Sequence, residues 1–391
     1  MIRLSNAKEC CGCSACESIC THNAIHMKPQ ELGFLYPEID ESKCVNCRLC
    51  EKVCAFNFGY DTSNNYPEPI VYGARHKNVD EIMQSRSGAT FAALSDYVLS
   101  KGGVVYGAGY TDHFRVVHKR AETTIERDEL RGSKYVQSDV RGIFNQVKKD
   151  LKNNRLVLFT GTPCQVASLK AFTGKSLLNN LLLVDIVCHG VPSPLIWDDY
   201  LKLIEQDNNC KITKVDFRDK KTFGWKENYE SFLLENRDAI KTDTFSKKLF
   251  YSHIILRPSC SNCKYCNLNR PSDITLADFW GWEKTNSSFN KDDKGANLVL
   301  INTPRGEELF GKISQQLNII EVDINNAMQP NLIAPSQLHP HYKKFCNDYK
   351  KRGFKFVIEN IDKYDKETFA TKLWHHVKTF TKRILRWKSV Y

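Results

Sequence analysis

The sequence predicts an α+β head followed by an α/β domain with a mainly parallel sheet and a strand-rich extension. Three observations predict this fold class. Cysteines recur at a fixed spacing within the first 54 residues, strand-like and helix-like segments alternate from residue 70 onward, and the pattern becomes strand-rich between residues 211 and 278. We therefore divide the 391 residues into a head at 1–60, a main domain at 70–330 and a basic tail at 339–391.

Eight head cysteines fall into two copies of the spacing C-x2-C-x2-C-x3-C. This is the ligand spacing of bacterial ferredoxins with two 4Fe-4S clusters, in which the fourth cysteine of each copy ligates the other cluster. Zinc sites use paired C-x2-C units with longer gaps, and disulfide frameworks belong to small secreted chains. We therefore expect a two-cluster ferredoxin-like head with two ligand sets: Cys10, Cys13, Cys16 and Cys54 for one cluster, and Cys44, Cys47, Cys50 and Cys20 for the other.

Hydrophobic periodicity predicts the remaining elements. In the head, residues 25–27 and 34–39 form a candidate hairpin around a turn at 28–33. In the main domain, apolar runs predict strands and three- or four-residue spacings predict helices. The predicted strands are residues 70–74, 103–106, 156–159, 181–187, 298–301 and 319–322. The predicted helices are residues 88–99, 139–151, 165–172, 194–205 and a segment after Pro304.

A third group of cysteines lies in the main domain. Cys260, Cys263 and Cys266 repeat the C-x2-C-x2-C spacing without a nearby fourth ligand, whereas Cys164 and Cys188 each follow a predicted strand. Because the carboxyl ends of parallel strands meet at one sheet edge, we expect these five thiols to supply a third 4Fe-4S cluster, with Cys164, Cys188, Cys260 and Cys263 as the ligands and Cys266 as a substitute. Zinc at the C-x2-C-x2-C motif and buried structural thiols are the alternatives. Cys11, Cys210 and Cys346 have no evident partner and are interpreted as unliganded thiols.

Composition restricts the class of protein. The chain is 41% hydrophobic and 26% charged, as in soluble globular proteins, and contains no apolar run of membrane-spanning length. Charges and cysteines occur within the first ten residues, so no secretory signal is expected. Sixteen cysteines then indicate reduced thiols and a cytoplasmic protein.

Five segments of the main domain resemble the beta-subunit family of coenzyme F420-reducing hydrogenases and related dehydrogenases. They are LRGSKYVQS (130–138), FTGTPCQVA (159–167), VDIVCHGVPS (184–193), RPSC (257–260) and SDITLADFWG (272–281). The resemblance implies a flavin, usually FAD, beside a 4Fe-4S cluster, and hence an oxidoreductase that passes electrons between clusters and a two-electron substrate. Some relatives occur with genes for surface polysaccharide assembly. The alternative is a non-catalytic electron-transfer subunit that feeds a partner redox enzyme.

The resemblance also implies residue roles. The flavin-binding candidates are Ser87, Gly88, Arg131, Gly132, Ser133, Lys134 and Tyr135. Arginine and lysine suit pyrophosphate or a flavin carbonyl, and glycine permits close backbone approach. His189 is the catalytic candidate, a proton donor beside the flavin, because imidazole titrates near neutrality. Packing at the strand end is the alternative role for this histidine.

The tail is basic. It holds 14 of the 56 lysines and arginines but five of the 45 acidic residues, and residues 366–388 form a predicted amphipathic helix. Such a helix suits peripheral contact with an anionic membrane, a partner protein or the enzyme itself. The expected partners are an electron donor or acceptor protein and a small-molecule redox substrate. No sequence motif indicates nucleic acid binding.

Overall fold

The computed structural model describes residues 2–235 and 237–364. The described strands are β1 (Ile25–Pro29), β2 (Leu35–Ile39), β3 (Ile70–His76), β4 (Val104–Tyr110), β5 (Val116–Ala121), β6 (Val157–Gly161), β7 (Leu181–Ile186), β8 (Ile212–Asp216), β9 (Glu230–Leu234), β10 (Arg237–Thr242), β11 (Ile274–Asp278), β12 (Asn297–Ile301) and β13 (Leu317–Glu321). The described α-helices are α1 (Ala15–Ile19), α2 (Leu49–Lys52), α3 (Ala55–Phe58), α4 (Val79–Gln84), α5 (Thr90–Ser100), α6 (Thr124–Asp128), α7 (Ile143–Lys152), α8 (Pro163–Thr173), α9 (Pro194–Asn208), α10 (Lys220–Phe223), α11 (Pro304–Ile313), α12 (Ile324–Ala327), α13 (Tyr342–Glu359) and α14 (Ile361–Tyr364). A π-helical segment spans Thr244–Phe250.

The chain divides into two compact units, of which the first ends at Leu338 and the second begins at His339. In the second unit, α13 is interrupted at Gly353, whose φ of 76° lies in the left-handed region that favours glycine. The predicted basic helix at 366–388 lies outside the described residues. Within those residues, no helix has the length and apolar character needed to cross a membrane.

An eight-stranded sheet organises the main domain, in the order β13-β3-β12-β11-β7-β6-β4-β5. The central strands β11, β7, β6 and β4 are parallel to one another. The four outer strands pair antiparallel. The prediction of a mainly parallel sheet is therefore wrong, and the sheet is mixed.

The connections explain the mixed sheet. A short turn joins β4 to β5, with the Thr111 N–H donating to the Arg115 carbonyl over 3.0 Å. Such a turn produces an antiparallel pair, whereas parallel strands need a longer crossover, usually a helix. Helix α8 provides that crossover between β6 and β7, while β11 and β12 are joined without an α-helix. The predictions missed β5 because three consecutive polar residues, His118, Lys119 and Arg120, interrupt its apolar run.

Helices cover both faces of the sheet. On one face, α5 and α11 pack in a single apolar cluster with strand residues such as Val105 and Val299. On the other face, α7 and α8 pack with Val157 and Phe159. A separate three-stranded antiparallel sheet, β8-β9-β10, forms the predicted strand-rich extension. The main domain thus has the layered arrangement of an α/β fold.

The head packs directly against the main domain. Its hairpin of β1 and β2 is antiparallel, as predicted. Ala15 and Val53 of the head join the apolar cluster formed by α7 and α8. The Ser193 hydroxyl donates to the Leu32 carbonyl over 2.6 Å, and the Tyr60 hydroxyl donates to the Asn269 carbonyl over 2.8 Å. These contacts fix the head cysteines relative to the main-domain cysteines.

Candidate functional site

The carboxyl ends of β6 and β7 gather the thiols that the sequence assigns to a third metal site. Cys164 lies in the first turn of α8, directly after β6, and Cys188 follows β7. The loop before β11 brings the C-x2-C-x2-C motif to the same place. One cavity is lined by all five predicted thiols and by a sixth: Cys164, Cys188, Cys260, Cys263, Cys266 and Cys11. Four cluster ligands can be drawn from this group.

The surroundings of these thiols suit an iron-sulfur cluster. Burial raises the pKa of Cys188, and it raises the pKa of Cys260 to about 12, because a buried thiolate is poorly solvated. Iron stabilises the thiolate form, which is the form that binds metal. The Val191 N–H donates to the Cys260 Sγ over 3.4 Å, and the Thr162 Oγ1 lies 3.2 Å from the Cys164 Sγ. Sulfur ligands, burial and hydrogen bonds to sulfur are the means by which proteins hold and tune such clusters.

Among the described residues, no three His, Cys, Asp or Glu side chains converge as ligands of a single metal ion do. Analysis of iron, sulfide and zinc is therefore the direct test of what these six thiols bind.

In the head, the structure brings together the four cysteines of the first predicted ligand set. Cys10, Cys13, Cys16 and Cys54 line one small cavity, so the last cysteine of the second repeat joins three from the first. The Gly12 N–H donates to the Cys10 Sγ over 3.4 Å, and the Asn57 amide donates to the Cys54 Sγ over 3.5 Å. This crossing of the two repeats is the arrangement of a two-cluster ferredoxin.

The second predicted set lies nearer the surface. Cys20 and Cys50 share an apolar cluster with Ile25 and Met27, whereas Cys47 is exposed. The Ile2 N–H donates to the Cys50 Sγ and the Ala24 N–H donates to the Cys20 Sγ, both over 3.3 Å. This end of the head is therefore open to solvent.

Cys11 has partners that the sequence did not reveal. It is buried and lines both the head cavity and the main-domain cavity. Hydrogen bonding with Cys13 and Cys164, together with burial, raises its pKa well above the usual value. Phe56 and Tyr265 pack in the same apolar cluster. No local motif marks Cys11, because its partner Cys164 is brought near only by the docking of the head.

A cavity of about 610 Å³ adjoins the main-domain thiols at the same edge of the sheet. Its volume lies within the range of small-molecule and cofactor sites. The predicted flavin and catalytic residues that line it are Ser87, Arg131, Gly132, Ser133, Lys134, Tyr135 and His189. Gly88 is not among the lining residues. A Cβ atom there would approach the Ala74 carbonyl oxygen to 2.3 Å, so Gly88 allows close backbone packing.

Among the predicted flavin residues, Lys134 is the cation whose charge is least balanced by a nearby carboxylate. Its Nζ donates to the carbonyls of Glu129 over 3.1 Å and Arg131 over 2.7 Å. Within the described residues no carboxylate forms an ion pair with it. Burial, and secondarily Lys119, lowers the pKa of Lys134 to about 7. An anionic ligand would supply the missing charge. Arg131, in contrast, already forms an ion pair with Glu81 over 2.6 Å.

Two arginines that the sequence analysis did not single out also line the large cavity. Arg218 forms an ion pair with Asp278 and donates to the Tyr135 hydroxyl over 3.3 Å. Arg86 donates to the Arg218 carbonyl over 2.9 Å, and burial is the main cause that lowers its pKa to about 10. These residues belong to loops far apart in the sequence, so no motif connects them.

His189 lies where the two main-domain cavities meet. It lines both of them, as does the adjacent Cys188. Its Nε2 is 2.7 Å from the Nε2 of His253, whose Nδ1 is 2.7 Å from the Gln337 carbonyl. Burial, followed by His253, lowers the pKa of His189 to about 4, so the ring is neutral at pH 7. A neutral ring retains one N–H donor and one acceptor nitrogen beside the large cavity.

Two family models match separate parts of the chain. Residues 154–327 match the family model that describes the C terminus of the coenzyme F420 hydrogenase/dehydrogenase beta subunit. Residues 9–58 match the model of a 4Fe-4S dicluster domain. Among solved structures, the chain is similar to a chain of the xenon-derivatised F420-reducing NiFe hydrogenase complex from Methanosarcina barkeri, with 17% identity, coverage of 75% of this chain and 92% of that chain, and a TM-score of 0.46. A comparison with curated proteins finds no match.

Proposed function

We propose that this chain, a member of the coenzyme F420 hydrogenase/dehydrogenase beta-subunit family with an N-terminal 4Fe-4S dicluster domain, is an iron-sulfur flavoprotein oxidoreductase. In this proposal, electrons pass between a partner redox protein and a two-electron substrate. When bound, 4Fe-4S clusters supply single-electron transfer and FAD supplies hydride chemistry.

The observation that carries the proposal is that the cysteine groups lie in series and end at the large cavity. Cys20 and Cys50 share an apolar cluster with Cys16 and Cys54. Cys54 shares the next cluster with Cys164 and Cys263 of the main domain. Cys188 then lines both the thiol cavity and the large cavity.

The exposed end of the series supports docking of a protein partner. Cys47 is exposed, and the neighbouring Val45 and Leu49 are 59% and 36% exposed. Exposed apolar side chains around a ligand group are typical of contact surfaces between proteins. The electron donor or acceptor protein therefore binds, in this proposal, at the surface of the second cysteine set.

The opposite end supports a flavin. The cavity has the volume of a cofactor site, an uncompensated lysine, two further arginines and the wall formed by Cys188 and His189. Lys134 would pair with the FAD pyrophosphate or a flavin carbonyl, and His189 would hold or accept a proton at its ring nitrogens. The same wall brings the flavin cavity beside the third cysteine group.

Anaerobic purification with iron, sulfide, zinc and flavin quantified per chain tests the proposal. We expect about twelve irons, about twelve sulfides and about one FAD, because three 4Fe-4S clusters contain that much. About eight irons without flavin would contradict the flavoprotein proposal. Zinc without extra sulfide would assign the main-domain thiols to zinc.

A matched pair of variants assigns the third cluster. Cys188→Ser should lose about four irons, since it removes a thiol shared by both cavities. Cys210→Ser is the control, because Cys210 lies between α9 and β8 and lines neither thiol cavity. Equal iron content in the two variants would remove Cys188 from the ligand set.

The alternative function is a non-catalytic electron-transfer subunit. The exposed second cysteine set favours it equally, because a relay protein needs the same docking surface. Turnover of added small-molecule acceptors by the isolated, flavin-loaded chain distinguishes the two functions. Turnover supports the enzyme, and reduction of the chain without turnover supports the relay.

The setting of the reaction is a narrower proposal. The resemblance to relatives found beside polysaccharide genes supports a substrate in surface polysaccharide assembly, and the cysteine content supports the cytoplasm. The basic residues of the tail support peripheral membrane contact. Fractionation of cells, followed by vesicle flotation with anionic and neutral lipids, tests location and membrane contact together.

A further inference from the structure

Arg257 is a fully buried cation at the junction of the head and the main domain, with an exposed fraction of 0%. Its Nε donates to the Cys10 carbonyl over 2.8 Å and its Nη2 donates to the Leu35 carbonyl over 2.7 Å. Its Nη1 donates to the Gln137 side-chain oxygen over 2.9 Å. A main-domain arginine thus holds the backbone of the head beside the first cysteine set.

The charge of Arg257 is not cancelled by an acid. Within residues 2–235 and 237–364, no carboxylate lies within ion-pair distance of its guanidinium, and all three hydrogen-bond acceptors are neutral. The rings of Tyr36 and Phe34 lie 4.3 and 5.3 Å from the guanidinium carbon. Aromatic faces favour a cation without neutralising it.

Both cysteine groups experience this charge. The Arg257 Nε donates to the carbonyl of Cys10, a member of the first cysteine set, over 2.8 Å. Arg257 also lines the main-domain thiol cavity. A nearby positive charge favours any added negative charge, and a reduced cluster carries one more negative charge than an oxidised one.

Gly12 shows how closely the head is fitted to this side chain. A Cβ atom at position 12 would lie 2.7 Å from the Arg257 Nη1, and Gly12 has a φ of +71°. Both the close approach and the left-handed backbone require glycine here. The guanidinium therefore lies directly against the backbone of the first cysteine loop.

We propose that Arg257, through its charge, raises the reduction potentials of both the Cys10 site and the main-domain site. This inference rests on the proposed function, since it concerns clusters at both cysteine groups. Its physical basis is one uncompensated cation, in a low-dielectric region, acting on two sites at once.

The test is a redox titration of the anaerobic, cluster-loaded full chain followed by electron paramagnetic resonance. Gln137→Glu is the sharpest variant, because it places a carboxylate where a neutral oxygen now lies 2.9 Å from the Nη1. We expect the midpoint potentials of both sites to become more negative in Gln137→Glu and in Arg257→Gln. Arg257→Lys keeps the charge and should stay closer to wild type than Arg257→Gln.

Arg127→Gln is the control for loss of a buried arginine. Arg127 is 2% exposed, but it forms ion pairs with Asp96 and Asp128 and lines neither thiol cavity. It should reduce stability without shifting either potential. If Arg257→Gln does not fold, Gln137→Glu decides the outcome.

Two results would overturn the inference. Unchanged potentials in a Gln137→Glu protein with full iron content would show that the charge of Arg257 does not act on the clusters, with the proposed function unaffected. A wild-type chain without a third cluster would instead refute the proposed function, and with it the action of Arg257 on two sites.

Discussion

Removal of Arg270 should destabilise the protein strongly, because its partner Asp185 would remain as a buried, unpaired carboxylate. The two side chains are 1% and 0% exposed, and the Arg270 Nη2 lies 3.0 Å from an Asp185 carboxylate oxygen. The same Nη2 donates to the Ile186 carbonyl over 2.9 Å. The ion pair joins the end of β7, just before Cys188, to the segment that follows Cys266.

The expected loss of stability follows from the burial of the Arg270–Asp185 ion pair. Breaking a buried ion pair by removing one partner typically costs about 3–5 kcal/mol. At roughly 2–4 °C per kcal/mol for a domain of this size, Arg270→Met should lower the Tm by roughly 6–20 °C. The exposed pair of Lys226 and Glu283 is the control, with exposed fractions of 53% and 47%. Exposed pairs contribute about 0–1 kcal/mol, so Lys226→Met should shift the Tm little.

The pKa of Asp185 determines how the destabilisation of Arg270→Met depends on pH. Burial raises the pKa of Asp185 even beside Arg270, so the folded chain binds a proton at this carboxyl more readily than the unfolded chain does. A raised folded-state pKa contributes stability at low pH that is lost as the pH rises through that pKa. Without Arg270 the pKa rises further, and the destabilisation of Arg270→Met should therefore shrink as the pH falls toward 4.

Anaerobic thermal unfolding between pH 4.5 and 8, with iron content measured in parallel, is the assay. The double variant Asp185→Asn/Arg270→Met should be more stable than Arg270→Met, because the buried charge is gone. A Tm loss in Arg270→Met no larger than that of Lys226→Met would refute the reasoning, as would a double variant less stable than Arg270→Met at pH 8.

Three further predictions concern the sites. Cys11→Ala should keep about twelve irons per chain, measured against the loss of about four in Cys188→Ser, because Cys11 is not among the five thiols that the sequence assigns to the third cluster; a loss of four irons would make Cys11 a ligand. FAD binding to the wild-type chain should weaken as the pH rises through about 7, where Lys134 loses its charge, whereas Lys134→Met should bind FAD weakly at every pH. Fluorescence of released FAD measures both affinities. An unchanged affinity in the variant would exclude Lys134 from the FAD site. Burial lowers the pKa of His118 to about 4, so the unfolded chain takes up a proton at this residue between pH 6.5 and 4 while the folded chain does not. The free energy of unfolding should therefore fall as the pH drops through this range, by up to about 1.4 kcal/mol per pH unit. A His118→Gln variant whose free energy of unfolding in urea depends on pH as steeply as that of wild type would contradict this prediction.

Local sequence spacing was sufficient for the head. Three ligands of each cluster lie a few residues apart and the fourth comes from the other repeat, so the repeats predicted both the dicluster domain and the set of Cys10, Cys13, Cys16 and Cys54 that lines one cavity. Hydrophobic periodicity likewise predicted the central strands β4, β6 and β7 and the helices that cover them, because it reports which side of an element is buried, but it did not predict β11 as a separate strand. Cys164 and Cys188 line one cavity because parallel strands place their carboxyl ends at one edge of the sheet, and their role as cluster ligands stays a prediction.

The mixed sheet, the partners of Cys11 and the buried charge of Arg257 required the tertiary structure. Each depends on which surfaces meet: β4 with β5 through a short turn, the head with the main domain, and an arginine with carbonyls more than 200 residues away. The sequence by itself determined the ligand types and the order of the elements, because those follow from covalent neighbours. Only the folded chain decided how one thiol group approaches the next, since that distance is set by packing between segments remote in sequence.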